Sequence, residues 1–141
     1  MPATVNILEA GHVSEPNDCA ILSLSAYLGI PYTDVIRIAA RLVEDGGKGG
    51  LTLRTMRRIA DLCGSPLTIR RTFDPAESYG IVFVQWRGHH EGHAAMLREG
   101  HVADRNALWE WDDWHAHMAQ LVVTKTGKPR TMTCRLLVAT E

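Results

Sequence analysis

The chain has 141 residues, one domain's worth, and its 45% hydrophobic and 22% charged composition argues against intrinsic disorder. Fifteen Lys and Arg against sixteen Asp and Glu leave a formal net charge of −1, which argues against a fold built mainly to grip nucleic acid or an anionic membrane. Cys19, Cys63 and Cys134 are odd in number and form no CxxC pair, so neither a disulfide scaffold nor a zinc ribbon is expected.

No apolar run reaches the ~18–20 residues of a membrane helix. The start, Met-Pro-Ala-Thr-Val-Asn, lacks the basic and apolar blocks of a secretory signal. The expectation is a single domain over 1–141 in a reducing, cytoplasmic setting, without membrane or nucleic-acid partners.

In residues 18–28, Ile21, Leu24 and Leu28 fall at helical spacing, while Ala20, Leu22 and Ala26 make the remaining faces apolar. A helix apolar all round is a buried one. Pro16, Asn17 and Asp18 supply breaker and capping residues ahead of it, and Gly29 and Pro31 stop it. Cys19 then falls in its first turn. A second helix is predicted over about 34–44, capped by Thr33, with Val35, Ile38, Ala39, Leu42 and Val43 inward and Arg37 and Arg41 outward. Asp45 to Gly50 reads as a loop. A third helix runs from Thr52 to Gly64, with Leu53, Met56, Ile59, Ala60 and Cys63 on one face.

From Pro66 the period becomes two. Leu67, Ile69 and Phe73 alternate with polar neighbours, and Ile81 to Trp86 reads as a central strand. His93 to Arg98 is the next strand, Glu99-Gly100 a turn, and the chain returns over His101 to Asn106. Residues 107–118 form a short helix or a loop. Leu121–Lys125 and Arg130–Ala139 are expected to pair as a terminal hairpin around Thr126-Gly127-Lys128. The fold class is α+β, with N-terminal helices on one side of a C-terminal antiparallel sheet.

The chemistry starts at Cys19. A thiol attacks carbonyls as thiolate, and the unpaired N–H groups of a helix start stabilise that anion. The same N–H groups can hold the oxyanion of a tetrahedral intermediate. A His must lie near, with a third group to orient its ring. His93 opens a strand, and the small Ala94 and Ala95 beside it leave room for a neighbouring element. If Glu99-Gly100 is a two-residue turn, residue 97 faces 102, 95 faces 104 and 93 faces 106. His93, Asp104 and Asn106 then share one sheet face, and either Asp104 or Asn106 can take the imidazole N–H.

Asn17-Asp18-Cys19-Ala20 leading an apolar helix, followed by Leu28-Gly29-Ile30-Pro31, resembles the start of the papain-like cysteine peptidases. Within that superfamily the chain is most similar to compact bacterial and phage types, including those that clip leader peptides at a double-glycine site. The resemblance continues in Gly50-Leu51-Thr52-Leu53, in Ala60-Asp61-Leu62-Cys63-Gly64, in Gly92-His93 and in Gly100-His101-Val102-Ala103-Asp104, covering about residues 15–106. It implies a papain-like cysteine proteinase fold, a nucleophile at Cys19, a base at His93, an orienting Asp104, a peptide or protein substrate, and neither cofactor nor metal. Such enzymes place a Gln six residues before the Cys to complete the oxyanion hole. Val13 stands there, with Asn17, Ser14 and His12 as nearby polar candidates. That departure keeps an alternative in play: a weak or inactive relative, phage-derived and virion-associated, acting in binding or assembly.

Other features have plainer accounts. Cys63 and Cys134 read as core. His89, His90, Glu91 and His93 invite a metal, but Gly88 and Gly92 break the helix that a His-Glu-x-x-His site needs, and His115-Ala116-His117 lacks a third ligand. Gly46 to Gly50 lacks P-loop spacing. Arg54, Arg57, Arg58, Arg70 and Arg71 read as a solvated face. Trp109, Trp111 and Trp114, interleaved with Glu110, Asp112 and Asp113, either pack their rings on the core or offer a surface to a protein partner.

Overall fold

The computed structural model describes residues 3–4, 18–43, 51–89, 92–105 and 107–140. Helices α1 (Cys19–Leu28), α2 (Tyr32–Leu42) and α3 (Leu53–Leu62) come first, after a two-residue strand β1 (Ala3–Thr4). Strands β2 (Leu67–Arg70), β3 (Tyr79–Trp86), β4 (Gly92–Arg98), β5 (His101–Asp104) and β6 (Ala107–Glu110) follow, then α4 (Trp111–Ala119) and β7 (Met132–Ala139). The architecture is α+β, with a seven-stranded sheet in the order β1-β6-β5-β4-β3-β7-β2 whose neighbours all pair antiparallel.

The helices form where the periodicity places them, with three adjustments. In α1 every side chain from Cys19 to Ser25 is buried, and Gly29 ends the helix in the left-handed region (φ 69°), its N–H bonding Ser25 O at 3.0 Å. Asp18 occupies the N-cap position without capping through its side chain. The second helix starts at Tyr32, not after Thr33. Pro31, with no N–H to satisfy, stands at its N-cap, and Tyr32 is buried. In α3, Thr52 caps instead of opening the helix, its hydroxyl accepting the Thr55 N–H at 3.1 Å.

Helices on one side only were the expectation, and the sheet is in fact covered on both. Ile81 to Val84 and Ala94 to Leu97 are buried without a break, so both faces need a partner. Ile81, Phe83, Ala94, Met96 and Leu137 pack with α1, α2 and α3. Val82, Val84, Ala95, Leu97, Val102 and Leu136 pack under Trp114 and Met118 of α4.

The second half differs from expectation in four places. Residues 107–118 hold both a strand and a helix. The expected terminal hairpin shrinks among the described residues to one rung, Val123 with Pro129, flanked by bonds from the Thr124 N–H to Lys128 O (2.8 Å) and from the Arg130 N–H to Val122 O (3.0 Å). Strand β7 instead inserts between β3 and β2, with Ile81 opposite Leu137 and Ile69 also opposite Leu137. Phe73 lies past the end of β2 and packs edge-on against Trp111, ring centroids 5.7 Å apart. The return strand ends at Asp104 because Arg105 turns into the left-handed region (φ 54°).

Candidate active site

Cys19 is the first residue of α1, so its sulfur lies within reach of the positive end of the helix. The hairpin that carries His93 and Asp104 has the two-residue turn its sequence predicts. Glu99 and Gly100 both take positive φ (47° and 84°), as a type I′ turn requires, and Leu97 lies opposite Val102. His93 and Asp104 therefore share one sheet face, that of Ala95 and Leu97. Their side chains meet, His93 Nε2 and Asp104 Oδ2 being 2.7 Å apart. Asn106, the other orienting candidate, and Asn17, the oxyanion candidate, lie outside the described residues, as do His12, Val13, Ser14, the Gly46–Gly50 loop, His90 and Glu91.

The thiol and the imidazole come together from opposite sides. Helix α1 packs on the face of Ala94 and Met96, while His93 belongs to the face of Ala95. They meet at the start of β4, beyond its last paired rung with β5, where the Cys19 sulfur contacts both the His93 ring and the Ala94 N–H. Because Nε2 of His93 is engaged by Asp104, Nδ1 is the nitrogen that faces the thiol.

These contacts set the charges. Burial pushes the Cys19 thiol up, but the His93 hydrogen bond, the His93 charge and the Ala94 N–H outweigh it and hold the thiol below its ordinary value. Burial alone would lower His93. Its hydrogen bonds to Asp104 and Cys19 and their charges raise it instead, to about 10. Burial pushes the Asp104 carboxyl up, yet His93, the Trp114 N–H and the Arg105 charge hold it below the usual carboxylate range. The directions agree in favouring one ion-paired arrangement, with the thiol drawn toward thiolate, the ring toward imidazolium and the carboxyl toward carboxylate. The other cysteines go the opposite way. Burial and the Asp34 charge push Cys63 up, and burial raises Cys134 to about 11. Both are half-buried at the margins of the two cores, less deeply placed than a core assignment expects.

Three contributions were not foreseen. Trp114 is wholly buried and donates its indole N–H to Asp104 Oδ2 at 2.9 Å, so it belongs to the site and not to a partner surface. Trp109 and Trp111 are half-buried, Trp109 stacking on His117 and Trp111 tilting over His115. Asp18, expected as a helix cap, turns its carboxylate away. Oδ2 accepts the Tyr32 hydroxyl at 2.5 Å, and Oδ1 forms an ion pair with Arg105 at 2.9 Å. The one sequence signal for this was an Arg immediately after Asp104, at a turn where Asn, Asp or Gly is the ordinary occupant.

Among the described residues no group of three or more His, Cys, Asp or Glu side chains is arranged to hold a metal ion, and no helix is long and apolar enough to cross a membrane. The chain matches no protein-family model and no curated protein.

Proposed function

We propose that the protein is a papain-like thiol hydrolase that cleaves an amide bond in a peptide or protein substrate. The observation that carries this is the linked contact of Cys19, His93 and Asp104, in which one thiol of three has a lowered pKa while the other two are raised. Cys19 attacks the carbonyl carbon as thiolate, and the first-turn N–H groups of α1 face the oxyanion that forms. His93 gives its proton to the leaving amine as the C–N bond breaks, leaving an acyl thioester on Cys19. His93 then takes a proton from water, whose oxygen displaces the thiolate. Asp104 fixes the ring so that Nδ1 stays toward the sulfur.

Iodoacetamide at pH 6.5, followed by mass spectrometry of each cysteine peptide, tests this. Alkylation is expected at least about tenfold faster at Cys19 than at Cys63 or Cys134, since each unit of lowered pKa multiplies the thiolate fraction by ten. His93→Ala should remove the preference. Equal rates at all three thiols would overturn the proposal.

Val13, at the position where the papain-like enzymes carry Gln, favours a second reading: a relative with little turnover that binds or assembles. A reactive Cys19 with no cleavage of a broad peptide library, and a biological role intact in Cys19→Ala, would select it.

A further inference from the structure

Asp18 stands at the N-cap of a buried helix, where a carboxylate ordinarily accepts N–H groups of the first turn. Here it makes no such bond. Its two oxygens are drawn sideways, one to Tyr32 on α2 and the other to Arg105 at the end of β5. Arg105 in turn holds a left-handed backbone that costs a side-chain-bearing residue energy, and the guanidinium reaches an almost wholly buried carboxylate from there. The residues on either side are telling. Asp18 directly precedes Cys19, and Arg105 directly follows Asp104. The ion pair therefore joins the two chain segments whose meeting makes the site.

We propose that the Asp18–Arg105 ion pair is a positioning clamp for the thiol hydrolase reaction: it holds the start of α1 against the β5 end of the sheet and keeps the Asp18 carboxylate off the N–H groups that face the sulfur and the oxyanion. The inference rests on the function proposed above.

Two physical consequences follow. A carboxylate capping the first turn would compete with the thiolate and oxyanion for the same donors, and its charge beside Cys19 would disfavour the anion. Pairing with Arg105 removes both effects. The pair also ties the start of α1 to the end of β5, adding a fixed contact beside the apolar packing of the helix on Ala94 and Met96 of β4. The contact runs from a single guanidinium nitrogen, Nη1, to Oδ1, so it acts as a pairing of charges that Lys can largely reproduce. The charged groups that bear on Cys19 are His93 on β4 and Asp104 on β5, while Asp18 ahead of α1 and Arg105 after β5 pair with each other.

The test is the pH profile of Cys19 alkylation by iodoacetamide in the full chain, for wild type, Arg105→Gln, Arg105→Lys and His93→Ala, with far-UV circular dichroism to confirm folding. Arg105→Gln should move the Cys19 profile about one pH unit upward, making alkylation about tenfold slower at pH 6.5. Arg105→Lys should recover most of the loss in rate. An unmoved profile in folded Arg105→Gln would overturn the clamp. If that variant does not fold, a chain carrying Asp18→Asn and Arg105→Gln together leaves no buried charge unpaired and replaces it. In that chain the factor by which His93→Ala slows alkylation should shrink at least about threefold, as expected when a shared positioning contact is lost. An undiminished factor would overturn the proposal. The two ideas fail separately: if His93→Ala leaves wild-type Cys19 unaffected, the hydrolase site itself falls, whereas a His93 effect with no Arg105 effect removes only the clamp.

Discussion

The indole N–H of Trp114 donates to the same oxygen of Asp104 that engages the His93 ring, at 2.9 Å against 2.7 Å. That oxygen is thereby fixed from the α4 side of the sheet, and an aromatic residue deep in the second core becomes part of the site's frame. Trp114→Phe keeps most of the ring volume and removes one hydrogen bond to a charged acceptor. The expected loss is about 1.5–3 kcal/mol of stability from a bond of that kind, read as a lower midpoint in urea with an unchanged m-value. The His93–Asp104 geometry should loosen with it, slowing Cys19 alkylation severalfold. A stable Trp114→Phe protein with wild-type reactivity would show that the indole serves only to fill space.

His93 also ties stability to pH. Its folded value, about 10, lies above the ordinary 6.5. A group whose pKa rises on folding contributes fully where folded and unfolded states are both protonated, below about 6.5, and loses that contribution as pH climbs toward the folded value. In a Cys19→Ser background only the Asp104 contribution remains, so the upper end of the window moves below about 10. The melting temperature of Cys19→Ser should exceed that of Cys19→Ser with His93→Gln most at pH 5.5–6, with the gap closing steadily above pH 6.5. A gap that widens with rising pH would contradict the imidazolium–carboxylate assignment.

How far the chain announces its own fold depends on the range of the interaction. The first-turn place of Cys19 is legible because a helical period begins there behind Pro16, Asn17 and Asp18. The common face of His93 and Asp104 is legible because a two-residue turn fixes register, and register fixes parity. The insertion of β7 between β3 and β2 is not, because each of three apolar strands is an acceptable neighbour of the others and only the whole sheet decides. The α4 cover on the second face was foreshadowed by unbroken apolar runs in β3 and β4. The contacts that complete the site are the least legible. Trp114 with Asp104, Tyr32 with Asp18 and Arg105 with Asp18 join side chains whose proximity exists only after the chain has folded, and no local periodicity marks them.

Gly92 precedes His93 for a steric reason. A Cβ built there would sit 2.4 Å from Cζ of Phe83 and 3.0 Å from the Val84 carbonyl oxygen. Phe83 is buried against α1 and cannot swing out freely. Gly92→Ala must therefore displace the ring or the strand, and overpacking of this kind costs about 1–3 kcal/mol. Because the displaced strand residue is the neighbour of His93, reactivity at Cys19 should fall along with the melting temperature. Phe83→Leu in the same chain, by relieving the contact, should restore part of both. Failure of the second substitution to restore either would place the cause elsewhere than in the ring.

Asp104→Asn separates charge from orientation. The amide oxygen can still accept the Nε2–H, but the negative charge that helps keep the ring protonated is gone. The imidazole should then titrate well below its wild-type value of about 10 and move toward 6.5. The thiolate–imidazolium state would occupy a narrower pH range with its upper limit lowered. Asp104→Ala removes the acceptor as well, so its ring is free to rotate and its Cys19 alkylation at pH 6.5 should be slower than in Asp104→Asn. Following the His93 Cε1 resonance by NMR across pH 5–11 reads the first effect directly, and iodoacetamide kinetics read the second. If His93 titrates identically in wild type and Asp104→Asn, the carboxylate does not supply the field assigned to it. Equal alkylation rates in the two Asp104 variants would mean that orientation of the ring comes from the surrounding packing.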